Sequence, residues 1–76
     1  MVEFISVWSG QPVYINPAHV TRVDQRTMVA GGTWWWVAGH SRVWFATSIG
    51  QDEEPYEDVI GHPRVVATTI GMFLRR

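Results

Sequence analysis

The 76-residue chain contains no cysteine and no lysine. Without cysteine there is no disulfide and no zinc–thiolate site. A domain this short lies near the lower size at which a chain folds unaided. Oligomerisation or heavy aromatic packing is what remains to stabilise it. Positive charge is scarce: six arginines against seven acids leave a net charge of −1. That balance excludes a generic phosphate-binding surface, so nucleic acid is an unlikely partner. Exclusive use of arginine points to high-GC coding, and so to a high-GC bacterium or one of its phages. No apolar run reaches the roughly 18 residues a membrane span needs. Met1-Val2-Glu3 offers no basic n-region, so no signal peptide is expected. The expectation is a cytoplasmic protein without membrane contact.

Motifs of catalysis are missing as well. Ser6, Ser9, Ser41 and Ser48 lie outside any G-x-S-x-G setting. Gly31-Gly32 runs into a strand rather than a helix, so no phosphate loop is present. His19, His40 and His62 all fall at predicted turns, and no two have a metal-ligand spacing such as i, i+4. The acidic stretch Asp52-Glu53-Glu54 lacks the alternating oxygen ligands and central glycine of an EF-hand loop. A solvated loop is the simpler reading. These absences predict a non-enzymatic protein with no cofactor and no metal.

What the chain does have is tryptophan, five in all, three of them consecutive at Trp34-Trp35-Trp36. On a strand, Trp34 and Trp36 face one way and Trp35 the other. A small domain can cover one such face with its own core, and the second then needs a partner. With 46% hydrophobic and 17% charged residues the chain is globular rather than disordered.

Alternation predicts strands at 3–8 and 12–15, the second opened by Pro12, which has no N–H to donate. Asn16-Pro17 reads as a cap and the first position of a short helical turn. A third strand follows at 20–24. Residues 25–32 are ambiguous, with Met28-Val29 able to prolong the hairpin. A fourth strand at 33–38 and a fifth at 42–47 flank a turn at 39–41. Both are apolar on both faces, as in a buried or interface-lining hairpin. Five of the seven acids fall between Asp52 and Asp58. Pro55 could start a short helix carrying Glu57 and Asp58 in its first turn, ended by Gly61. Val65, Val66, Thr69, Ile70, Phe73 and Leu74 then form one helical stripe, while Thr68-Thr69, Gly71 and the β-branched residues leave a strand over 64–74 as the alternative; the length of the stripe favours the helix.

The pattern Trp8-Ser9-Gly10, Tyr14-Ile15-Asn16-Pro17, Val20 and Val23 resembles the opening of the small FlbD/SwrD-type flagellar motility family. Glu57-Asp58-Val59-Ile60 is similar to that family's ending. Short proteins from phages of high-GC bacteria look similar too. The resemblance covers about half the chain and implies a β-rich topology with a C-terminal helix. Residues 34–36, 51–55 and 63–76 have no counterpart in it.

The expected fold is therefore α+β: one domain over residues 1–76, with a twisted antiparallel sheet of about five strands. Its parts are a β-rich portion at 2–47, an acidic loop and short helix at 48–61, and a C-terminal helix at 63–76. In this reading Val66, Ile70 and Phe73 cover inward-facing aromatics, and Gly71 allows close approach. The expected function is an interaction protein, plausibly of phage type, that binds a protein partner or itself through Trp34, Trp35, Trp36 and Trp44. The alternatives are a structural or regulatory homo-oligomer, or a tryptophan platform for sugar or single-stranded nucleic acid.

Overall fold

The computed structural model describes residues 1–47 and 54–74, apart from the side chains of Ala30, Trp34, Phe73 and Leu74. The acidic segment 51–53 and the Phe73 contact expected from the helical stripe lie outside the described residues. The architecture is α+β, but the strands divide into two antiparallel sheets instead of one.

In the first sheet β1 (Val2–Ile5) pairs with β2 (Pro12–Ile15). Asn16 then caps a 3₁₀ turn, Pro17–His19, its side chain accepting from the Ala18 N–H at 3.1 Å. This is the Asn-Pro chemistry expected from the sequence. The second sheet has the order β3 (Val20–Ala30), β4 (Thr33–Phe45), β5 (Tyr56–Ile60). Gly31 and Gly32 close the β3–β4 hairpin, both with positive φ, as a tight primed turn requires. The ambiguous stretch after Asp24 is thus strand as far as Ala30.

Two expectations are corrected. Residues 33–38 and 42–47 are not two strands about a turn, because β4 runs unbroken from Thr33 to Phe45. Gly39, at φ 74°, makes a bulge in it: between the pairs Gln25–Ser41 and Thr27–Trp36, the single residue Arg26 spans residues 37–40. A positive-φ glycine serves a turn or a bulge equally well. The outcome is set by Gly61, whose N–H donates to the Gly39 carbonyl at 2.7 Å. The predicted short helix carrying Glu57 and Asp58 is instead β5, paired with residues 40–44 of β4. Local helix preference yields there to the partners that Asp58 finds across the sheet.

The helix α1 (Pro63–Leu74) forms where the apolar stripe placed it. Pro63 opens it, and the His62 Nδ1 accepts from the Arg64 N–H at 3.2 Å, satisfying one orphan donor of the first turn. Thr68 and Thr69 are tolerated inside it because their hydroxyls donate to the carbonyls of Arg64 and Val65. Val66 and Ile70 pack on Ile15, Val43 and Val59, with Phe4, Val13, Val20, Val23 and Phe45 around them. The helix therefore covers valines and isoleucine with the half-buried Phe4 and Phe45 beside them, and none of the tryptophans with a described side chain is buried.

The helix–sheet junction separates two glycines. A Cβ on Gly61, whose φ is 140°, would meet Val66 Cγ2 at 3.0 Å. Gly61→Ala should cost about 1–3 kcal/mol in urea unfolding. Gly71 was expected to permit close approach, yet a Cβ there meets no described atom within 4 Å. Gly71→Ala should therefore raise stability by about 0.5–1 kcal/mol, through the helix entropy that glycine forfeits. A destabilised Gly71→Ala protein would reinstate the close approach.

Candidate functional site: an aromatic arm and the carboxylate at its root

β5 stops opposite His40, so beyond the bulge β3 and β4 continue as a two-stranded arm, residues 27–36. Thr27 pairs with Trp36, Met28 with Trp35 and Val29 with Trp34. Neighbouring residues on a strand face opposite ways, so Trp35 and Trp36 occupy different faces of the arm. Both are exposed, Trp35 by 42% and Trp36 by 67%. Met28 and Val29 are exposed beside them. No residue from 27 to 39 is charged. The sequence suggested that one tryptophan face would be core and the other an interface. Among the described residues the arm has no covering layer for either, because it projects past β5.

At the root of the arm lies a fully buried carboxylate, Asp58. Arg42, its cross-strand neighbour, donates from Nε at 2.8 Å to one oxygen and from Nη2 at 3.2 Å to the other. The Trp8 Nε1–H donates to the second oxygen at 3.1 Å. Arg26, the bulge residue, brings its Nε within 3.4 Å of the same oxygen. That Nε makes no hydrogen bond among the described residues, so the contact is Coulombic alone. The Asp58 hydrogen bonds and charge hold the Arg42 pKa above its usual value against the opposing pull of burial. Asp58 is thus the one carboxylate that both guanidinium groups approach.

The network reaches further on both sides. Arg26 Nη1 is 3.2 Å from His40 Nδ1, and arginine has only donors, so the imidazole nitrogen accepts. Its guanidinium also lies 4.8 Å from the centre of the Trp8 ring. The Val7 N–H donates to the Asp58 carbonyl, and Ser6 Oγ donates to Glu57 at 2.9 Å. Asp58 thereby joins the β1–β2 connection, β5 and both strands of the arm at one point. Buried ion pairs contribute little net stability compared with apolar packing, but they fix geometry and are costly to break. Here they tie the bulge residue Arg26 on β3 and Arg42 on β4 to one carboxylate of β5 at the base of the arm.

Trp44 stands apart from the arm. It is half-buried, with Tyr56 at 5.0 Å between ring centres and the Arg22 guanidinium 4.3 Å above it. Its Nε1 is buried without a partner among the described residues. Trp36 and Trp44 share only an open groove of about 430 Å³, also lined by Val23, Asp24, Gln25, Thr27 and Arg42. The groove's charges are already matched, Arg42 by Asp58 and Asp24 by Arg22 at 3.1 Å.

Of the four tryptophans singled out from sequence, Trp35 and Trp36 thus share the arm and Trp44 belongs to the sheet body. Trp34 has its backbone in the arm, and its side chain lies outside the described residues. Sequence reasoning missed Trp8, Arg26, Arg42 and Asp58 as a unit, since Asp58 is 50 residues from Trp8 and 16 from Arg42. The one available signal was alternation of charge and aromatic along Arg42-Val43-Trp44 and Tyr56-Glu57-Asp58. The three histidines are placed separately: His19 ends the 3₁₀ turn, His40 faces Arg26, and His62 caps the helix. No helix is long and apolar enough to cross a membrane among the described residues. Compared with known proteins, the chain matches no family model, no curated protein and no solved structure.

Proposed function

We propose that this chain is a non-enzymatic interaction protein that docks through its two-sided aromatic arm, and that its simplest partner is a second copy. The observation that carries the reading is the simultaneous exposure of Trp35 and Trp36 on opposite faces of an uncharged hairpin. Tryptophan is enriched at the energetic centres of protein interfaces, where it removes a large apolar area from water. Two such arms can be apposed without like-charge repulsion, because neither carries a charge. The buried Asp58 network supports the same reading, since a docking element binds best when its direction is fixed beforehand. A platform for sugars or bases is the weaker reading: Arg22 already covers the Trp44 ring, and the groove beside it offers no uncompensated charge. The test is the mass in solution together with tryptophan emission. Association through the arm predicts a dimer whose emission shifts to the blue as concentration rises. A monomer with concentration-independent emission would reject self-docking.

A further inference from the structure

The arm is not the only unpartnered element of the second sheet. β3 is an edge strand over its whole length, from Val20 to Ala30, among the described residues. The backbone groups it offers follow from the hydrogen bonds of β4. The Phe45 N–H donates to the Pro55 carbonyl on the β5 side. Backbone polar groups alternate in direction along a strand, so Arg42 and Trp44 direct theirs toward β3. Asp24, which pairs with Arg42, therefore points its N–H and C=O at β4. Those of Val23 and Gln25 point outward along the free edge.

Charged side chains on an edge strand ordinarily discourage pairing with other chains. Here they are arranged to permit one pairing. Arg22 and Asp24 are both about half exposed, of opposite sign, and flank Val23 symmetrically; within the chain they bridge each other at 3.1 Å and Arg22 reaches Glu54 at 3.5 Å, so pairing shares these contacts with the second copy. We propose that two copies pair antiparallel along β3, with Val23 on the two-fold axis. Arg22 of each protomer then faces the partner's Asp24, and a continuous six-stranded sheet results. Val23 meets its own copy as a hydrogen-bonded pair. The two Arg–Asp pairs fall at the closer, non-hydrogen-bonded positions beside it.

Other registers are worse. An axis on Asp24 sets Asp24 against itself and Arg22 against Arg26. An axis on Gln25 leaves the exposed Arg22 opposite Met28 and turns Asp24 toward Arg26, which is already committed to Asp58. Any axis between residues would oppose core-side and outer side chains. This inference rests on the reading that the partner is a second copy and gives it a different contact from the arm: with Val23 on the axis, residue 27 falls opposite residue 19 of the other copy, so the two arms leave at opposite ends of the pair and do not meet in it.

Charge reversal tests it. Arg22→Asp alone and Asp24→Arg alone each place like charges opposite one another twice per dimer. Each should weaken dimerisation roughly tenfold at low ionic strength. The double variant Arg22→Asp/Asp24→Arg should recover most of the lost affinity, short of wild type by the repulsion between position 22 and Glu54 within the chain. The absence of native cysteine allows a second test. In an equimolar mixture of Arg22→Cys and Asp24→Cys proteins, oxidation should give the mixed disulfide in preference to either homodisulfide. Statistical amounts of the three, or single reversals that dimerise like wild type, would overturn the register. A monomeric wild-type protein would overturn the pairing itself. A dimer that withstands loss of Trp35 and Trp36 but is split by the single reversals would reject the arm while keeping the edge.

Discussion

Asp58→Ala is expected to lower stability by about 3–5 kcal/mol, the range found when one partner of a buried ion pair is removed. Domains have about 0.05–0.15 kcal/mol of stability per residue, about 4–11 kcal/mol for a chain of this length, so a loss of this size removes from about a quarter to all of it. The cause is what the substitution leaves behind. Arg26 is nearly buried and Arg42 largely so, and both would lose the anion that neutralises them. The Trp8 N–H would also lose its acceptor. Graded controls separate these contributions. Asp58→Asn keeps the shape and one carbonyl acceptor but removes the charge, and should fall between wild type and alanine. Trp8→Phe removes the N–H together with part of the ring that the Arg26 guanidinium lies over, and should cost at least about 1.5–3 kcal/mol, the range for a hydrogen bond to a charged group. Urea unfolding followed by circular dichroism gives the order. An Asp58→Ala midpoint equal to wild type would mean that the arginines find other partners and that the network does not hold the arm.

The second large effect is on assembly and leaves the fold intact. Trp35→Ala and Trp36→Ala should each weaken self-association by about 2–4 kcal/mol, as expected for an interface anchor. Neither residue belongs to the core cluster formed by Ile15, Val43, Val59, Val66 and Ile70. The urea midpoint of the isolated protomer should therefore stay near that of wild type. This separation of assembly from folding distinguishes an interface residue from a core residue. A large loss of stability in the monomeric variants would place the indole inside the protomer.

How far the sequence disclosed this molecule depends on the range of the interactions involved. Asn16-Pro17 and the stripe from Val65 to Leu74 were readable because caps and helical periodicity are set within a few residues. The opposite orientation of Trp35 and Trp36 was readable for the same reason. The bulge at Gly39 was not, since its alternative, a turn, uses the same positive φ. The choice is made by a hydrogen bond from Gly61. Pro55 followed by acids reads locally as a helix start. It becomes a strand through Arg42, Trp8 and Ser6, all distant in sequence. The exposure of both tryptophan faces could not be read either, because it depends on where β5 stops along β4. The candidate site was thus half visible: its aromatic surface in the residues, its charged anchor only in the packing.

Sedimentation equilibrium on the wild-type protein and the Trp35→Ala/Trp36→Ala double variant, from low to high micromolar concentration, tests the docking arm most directly. The account predicts a reversible wild-type dimer and a folded, monomeric double variant over the same range. A wild-type protein that stays monomeric at high micromolar concentration, or a double variant that dimerises as wild type does, would contradict it.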